Sequence, residues 1–358
     1  MRTAFITIIS FFIITPVLLA AAYVTYIAAT DYYPAEYVSL GINNNKDRIA
    51  HLGDPITITT FNIGYAGLDH QQDFFVDGGK SSRPSNEQQT RTNLEAISTF
   101  LAQHQSDIYL LQEVDIQSKR SYAINEAEYI LDQNTGYSST FAYTNKTKWI
   151  PVPILHPVGY ANGGLLTMSK LQCSSNQRIR LPGQAHWFLQ LFDADRAVIE
   201  SRIPVENGKE LVLLNLHLSA YDKGGSIRKQ QLEFLESYIA KERAKENYMI
   251  IGGDWNHILP ETNPQLFSTL QASPSWLYKL PELFSPAGFR WAVDKQVATV
   301  RTLNAAYTEG VNYRAVIDGF LVSSNIDILY VRGHDLQHQH SDHNPVTIQF
   351  VLTEEGYT

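Results

Sequence analysis

The chain has 358 residues, 44% hydrophobic and 18% charged, which is ordinary for a globular protein with a substantial core. Its formal net charge of −8 argues against non-specific nucleic-acid binding through a basic surface, although a local basic groove stays open. A single cysteine, Cys173, excludes an intramolecular disulfide and any multi-thiolate metal site.

From Thr3 to Thr30 no charged residue occurs; Arg2 precedes the run and Asp31 follows it. About 20 helical residues cross the hydrocarbon core of a bilayer, so the run can span with some tilt. A secretory signal has a shorter apolar region of about 7–15 residues before a small-residue cleavage site. Leu18–Ala22 offers such a site, yet apolar character continues through Tyr23, Val24 and Ile27. The expectation is therefore an uncleaved membrane anchor over residues 1–30. The alternatives are a cleaved signal on a secreted protein and a buried helix of a soluble one. Arg2 favours a single-pass, N-in/C-out arrangement that leaves the rest of the chain outside the cytoplasm.

Residues 31–54 are polar and turn-rich, and read as a stalk. One domain is expected over 55–358, where strand and helix patterns alternate. ITITTFNIG (56–64) is a β-branched strand ending at an Asn-x-Gly break. Ser85 is a candidate N-cap with Gln88 in the reciprocal position, opening a helix with Leu94, Ile97 and Leu101 on its inner face. DIYLLQEVD (107–115) is a second strand. Residues 145–190 are punctuated by Pro and Gly, and long loops are expected there. ELVLLNLHLSAYD (210–222) is a strand, and Gly224-Gly225-Ser226 leads into a helix with Leu232, Leu235 and Ile239 inward. NYMIIGGDWNH, AVIDGFLVSS and NPVTIQFVL supply the remaining strands. Strand–helix–strand units in both halves point to an α/β layered fold.

A polar, metal-capable or proton-transferring residue recurs where apolar strands begin or end. Asn62 ends the first strand, Glu113 the second, and His217 lies near the end of a third. Asp254 and Asn256 follow a fourth; Asp318 and then Asp342–His343 sit at the lips of two more. Each has an ordinary explanation, such as a turn former, a capped strand, or a Glu113–Arg120 salt bridge. One shared site explains them together. Mg²⁺ takes oxygen ligands at ~2.0–2.1 Å and keeps several waters, so Glu113 and the Asn62 amide oxygen suffice to hold it. Zinc held by the histidines of HDLQHQHSDH is a weaker alternative.

The ordered set TFNIGYAG, LLQEVD, LLNLHLSAYD, GGDWNH, AVIDGFLVS and SDHNPV resembles the endonuclease/exonuclease/phosphatase superfamily. That group includes pancreatic-type deoxyribonucleases, apurinic endonucleases, inositol-phosphate 5-phosphatases and neutral sphingomyelinases. The resemblance implies a sandwich of two mixed β-sheets flanked by helices, with the site at one end. It implies that Glu113 is the main metal ligand, with Asn62 beside it on metal or phosphate and Asp342 adding a contact. Asp254 would orient or deprotonate the attacking water, and Asn256 would support the phosphate. His217 would bind a phosphate oxygen, and His343 would be the catalytic histidine oriented by Asp318. The implied cofactor is Mg²⁺, with Mn²⁺ as a substitute. Trp255 departs from the pattern, and no role is attached to it. His338 and His340 lack a motif match and are expected on the loop surface.

The expected reaction is in-line attack of water on phosphorus, with the phosphoester as the partner to recognise; nothing points to a protein partner. Anchoring and acidity favour a lipid headgroup or cell-surface phosphodiester, as in sphingomyelinases. A nuclease acting outside the cytoplasm is the alternative, followed by an inositol-type phosphomonoesterase and a non-catalytic binding module. Lys80 and Arg83, and Lys223, Arg228 and Lys229, lie in loops suited either to anions or to solvent. The segment KTKWIPVPILHPVGYANGG (146–164) is placed in the substrate cleft or against a membrane.

Overall fold

The computed structural model describes residues 2–222 and 224–354, with side chains from residue 10 onward. Lys223 and the last four positions of the expected 55–358 domain lie outside the described residues. In chain order the elements are α1 (Arg2–Ala29), β1 (Tyr37–Leu40), β2 (Ile56–Asn62), α2 (Glu87–His104), β3 (Ile108–Asp115) and α3 (Glu126–Gln133). They continue with β4 (Ser138–Ile150), β5 (Gly159–Ser169), β6 (Ser175–Arg180), a single turn α4 (Trp187–Gln190), β7 (Ala197–Pro204) and β8 (Glu210–His217). Next come α5 (Ser226–Arg243), β9 (Tyr248–Asp254), β10 (His257–Ile258), β11 (Tyr278–Lys279) and β12 (Phe289–Ala292). The chain closes with β13 (Val300–Arg301), β14 (Arg314–Ala315), β15 (Asp318–Ser323), β16 (Ile326–Gly333) and β17 (Val346–Leu352).

The strands form a seven-stranded sheet, β1-β6-β7-β8-β9-β15-β12, and a six-stranded sheet, β16-β17-β2-β3-β5-β4. Both are mixed: β2 runs parallel to β3 and β8 parallel to β9, while most other pairs are antiparallel. The apolar runs become central strands because both of their faces are covered. Between the sheets lie Ile58, Leu110 and Ile348 from one side and Leu213, Ile250 and Phe320 from the other. On the outer face of the seven-stranded sheet, Leu232, Leu235 and Ile239 of α5 are buried, at about 1.5–3 kcal/mol each. Leu94, Ile97 and Leu101 of α2 cover the six-stranded sheet in the same way.

Three local expectations need correction. The stalk is laid against the domain: β1 pairs with β6, and Asn43, Ala50 and Leu52 form bridges to Ser139, Val205 and Leu352. Its polarity reflects an edge position rather than freedom from the sheets. The α2 cap is Asn86, which accepts from Gln89 N, while the Gln89 side chain accepts from Ser85 N; the reciprocal pair is shifted by one from Ser85/Gln88. The region 145–190 is half strand as well as loop, because Gly163 and Gly164 permit close packing: a Cβ on Gly164 would meet Ala142 O at 1.9 Å. Within it, real loops remain at 151–158 and after Arg180.

The uncharged N-terminal run is helical. Ser10–Ala29 is long and apolar enough to cross a membrane, and its side chains are mostly exposed, unlike those of a core helix.

Candidate active site

Sheet register assembles the site. His217 and Asp254 end β8 and β9, Asp318 opens the adjacent β15, and the three are direct cross-strand partners on one rung. The preceding rung needs Gly253, where φ is +146° and a Cβ would meet Leu216 O at 2.0 Å. Any larger residue would push β8 from β9 and separate His217 from Asp254. In the facing sheet, Asn62 pairs with Gln112 at the parallel ends of β2 and β3. The next residue, Glu113, has φ +52° at a bulge where β3 slips against β5 between Leu111 and Val114. Glutamate rarely adopts this left-handed conformation, and such strain concentrates at functional sites. Glu113 thereby lines the pocket while its neighbours Gln112 and Val114 stay buried.

One oxygen is the hub. Asp254 Oδ2 lies 3.0 Å from Asn62 Nδ2, 3.3 Å from His217 Nε2 and 3.7 Å from His343 Nε2. Asn62 Nδ2 also donates to Glu113 Oε1 at 3.3 Å and lies 3.5 Å from His343 Nε2, so Glu113 and His343 share one centre. His343 Nδ1 donates to Asp318 Oδ2 at 2.8 Å. Asp342 Oδ2 is 4.0 Å from His343 Nε2. Glu113, His217, Asp254, Asn256, Asp342 and His343 line a cavity of about 390 Å³.

The two histidines are driven in opposite directions. Burial disfavours charge on both. For His343, Asp318, Asp342 and Asp254 outweigh burial and raise its pKa well above the ordinary 6.5. For His217, burial is reinforced by Arg196 and by His343, and its pKa falls well below 6.5. Desolvation and the charge of Asp318 push Asp254 up to about 6. Desolvation, with Glu113 nearby, pushes Asp342 up to about 7.

Among the described residues, Asp254, Asp318 and His343 form a metal-capable group with ligand atoms mutually within 4.8 Å. Glu113 and Asp342 add two more carboxylates, and none of Glu113, Asp254 and Asp342 pairs with a lysine or arginine among the described residues. Asp318 Oδ1 is buried without a hydrogen-bond partner among the described residues. An oxygen-rich, desolvated and mutually repelling set of this kind fits a hard divalent cation.

Several expectations change in detail. Asn62 Oδ1, expected toward a metal, accepts instead from Gly64 N at 3.0 Å, and the amide nitrogen faces the carboxylates. Asn256 lines the pocket, but its Nδ2 donates to Leu218 O at 2.8 Å. Arg120 pairs with Asp115 through two 2.9 Å bonds rather than with Glu113, because Asp115 is the buried neighbour on its side. His338 is buried, not on the surface; burial and Arg301 lower its pKa. His340 is half-buried beside Asn93 Oδ1 at 3.1 Å. Arg228 is buried and donates to Asn256 O and Trp276 O, so it braces the loop instead of meeting an anion. Sequence reasoning missed Arg196 and Tyr65. Tyr65 packs under the Arg120 guanidinium at 3.9 Å and lines the pocket with φ +42°. Arg196 also lines it, from the residue just before β7, where nothing local marks it out.

A two-sheet sandwich whose strand ends gather two histidines and several carboxylates defines a metal-dependent hydrolase of phosphoric esters. The chain belongs to the endonuclease/exonuclease/phosphatase family, whose pattern matches residues 59–343. No curated protein matches the sequence. Among solved structures, the fold is similar to that of an endonuclease/exonuclease/phosphatase from Beutenbergia cavernae, with TM-score 0.59 and 16% identity over 84% of this chain and 72% of that one. It is also similar to a Bacteroides vulgatus endonuclease/exonuclease/phosphatase, with TM-score 0.52 and 15% identity over 84% and 99% of the two chains. A third is D. rerio TDP2 complexed with a single-strand DNA product, with TM-score 0.50 and 16% identity over 83% and 99%.

Proposed function

We propose that the chain is a Mg²⁺-dependent phosphodiesterase, with Mn²⁺ as a substitute, acting on nucleic-acid phosphodiesters. The observation that carries the hydrolytic reading is the convergence of Asn62, His217 and His343 on Asp254 Oδ2. Near neutral pH Asp254 is largely ionised and His343 is protonated. Asp254 then takes a proton as water oxygen bonds to phosphorus. The bond from phosphorus to the leaving oxygen breaks, and that oxygen takes the Nε2 proton of the His343 imidazolium, which Asp318 holds in place. Neutral His217 donates Nε2–H to Asp254 and keeps its carboxylate oriented. Glu113 and Asp342 would hold the cation, which when bound neutralises charge growing on the phosphoryl oxygens.

The similar TDP2 structure with its DNA product supports the nucleic-acid substrate, as does the aromatic wall formed by Tyr221 and Trp276, rings 5.9 Å apart. Bases stack on such side chains without needing sequence recognition. A second reading, a lipid-headgroup phosphodiester, is favoured by α1 and by the apolar loops beside the pocket. In both readings α1 anchors the chain N-in/C-out.

The test compares wild type with Glu113→Ala and His343→Ala on bis-p-nitrophenyl phosphate, with Mg²⁺ and with EDTA. Equal release from all three proteins overturns the hydrolase reading. A panel of single-stranded DNA, duplex DNA, inositol phosphates and sphingomyelin vesicles then selects the substrate; turnover of lipid with DNA untouched moves the assignment to the second reading. Protease added outside intact cells removes the catalytic domain if the topology is N-in/C-out, and complete protection overturns it.

A further inference from the structure

The catalytic domain clasps the end of α1. Ile27 is only 2% exposed. The Tyr23 hydroxyl donates to Trp149 O at 2.7 Å, and the Tyr23 ring stacks on Phe192 with centroids 6.4 Å apart. From Tyr23 to the helix end at Ala29 is ~9 Å along the axis. If Ser10–Ala29 is the span, these contacts lie beneath the boundary of the hydrocarbon core. Drawing the span back to begin at Thr3 still requires about 20 residues, which leaves Tyr23 level with that boundary. In either frame, whatever packs on Tyr23 sits at or within the bilayer interface.

What packs there is apolar. The loop after Trp149 exposes Ile154 and Leu155, at 87% and 86%, together with Val152. The segment before Phe192 exposes Trp187, Phe188 and Leu189. Its rings continue to the helix, with Trp187–Phe188 at 5.7 Å and Phe188–Phe192 at 5.6 Å. Leu270 and Leu283 are as exposed in other segments of the chain, and exposed leucines are ordinary on a soluble surface. Cations line the same edge: Lys119 lies over the Trp149 ring at 4.2 Å and Lys146 over the Tyr32 ring at 5.2 Å, as headgroup contact favours. Of the acidic groups there, Asp195 is pushed up to about 7 by burial and by Asp31, which softens the repulsion from anionic lipid.

We propose that loops 151–158 and 186–192 insert into the interface of the bilayer that α1 crosses, on the side where α1 ends. The Ile150, Val152 and Phe192 wall of the pocket then rests at the lipid surface. The occupant is the lipid boundary itself, and the inference rests on α1 being a membrane span, not on the choice of substrate.

The test uses the full chain in phosphatidylcholine/phosphatidylserine nanodiscs. Cysteines are introduced singly as Leu155→Cys, Leu189→Cys, Leu270→Cys, Leu283→Cys and Leu18→Cys, and carry an environment-sensitive fluorophore. Native Cys173 is buried and does not compete for label. Quenching by lipids labelled at different depths is expected to place positions 155 and 189 within ~5–10 Å of the headgroup/acyl boundary, as for an interfacial segment. Position 18 should lie deeper, and positions 270 and 283 should stay in water. If 155 and 189 behave like 270 and 283 while 18 is quenched, the docking proposal fails and the anchor stands. If 18 is also unquenched, the anchor fails and the docking proposal falls with it.

Discussion

The end of β8 and the loop before β17 each deliver a buried histidine to the same carboxylate oxygen, yet the two rings are set up for different work. His343 has Asp318 bonded to its far nitrogen and Asp342 close by, and it is held as a cation. His217 faces Asp254 too, but burial, backed by Arg196 and His343, stands against its charge, and it is held neutral. Burial is alike in both, at 6% side-chain exposure, and it lowers both, so burial alone does not separate the two rings. The charges each ring faces from the surrounding strands do. The acid and orienting roles proposed for the two rings rest on that difference.

The strongest way to break the contrast is Asp318→Asn, which leaves the shape and removes the charge. Turnover should fall by ~10²–10⁴, and the His343 ring, followed by NMR in metal-free protein, should titrate at much lower pH, toward the behaviour of His217. An unchanged titration would show that Asp318 is not what charges His343. Gly253→Ala attacks both regions at once, because its Cβ collides with Leu216 O between His217 and Asp254. It should cost ~1–3 kcal/mol in denaturant unfolding, and activity should fall with it.

A pH series of unfolding in EDTA sharpens the contrast by sign. His343 has a folded pKa above its ordinary 6.5, so its contribution is full below 6.5 and lost as pH rises through the folded value. His217 has a folded pKa below 6.5, so its contribution is present above 6.5 and lost as pH falls through the folded value. Asp318→Asn should therefore flatten the alkaline loss and leave the acid loss. The smallest effect is expected from Arg196→Gln: the His217 titration should rise by about one unit or less, with His343 little moved. If His217 does not respond, the charge of Arg196 is not among its determinants.

The site was legible where chemistry and strand ends coincide. Asn62, Glu113, His217, Asp254, Asp318 and His343 each close or precede an apolar run, and a sheet brings such ends to one edge. Less legible was anything set by contacts across the sandwich. Nothing around His338 signals that Arg301 and the Tyr307 ring, 5.0 Å away, enclose it. The amide orientation of Asn62 depends on Gly64 N two residues on. The strands in 145–190 were hidden because their glycines, which read as breaks, are the residues that let β5 close on β4. The polar 31–54 segment likewise gave no sign of its place at a sheet edge. For the substrate, the lipid headgroup favoured by anchoring and acidity now stands behind nucleic acid, since net charge says little about what one pocket accepts.

The single rung carrying His217, Asp254 and Asp318 has a consequence for how such a protein changes over time. Spacing between neighbouring strands is a constant of the backbone, ~4.7–4.9 Å, so these three groups cannot drift apart by small degrees. Innovation is left to the connections that emerge at the same edge, which can lengthen, shorten or be exchanged without disturbing that rung. Grafting α1 together with the 151–158 and 186–192 segments of this chain onto a related domain is therefore expected to carry over the proposed membrane placement without displacing that rung.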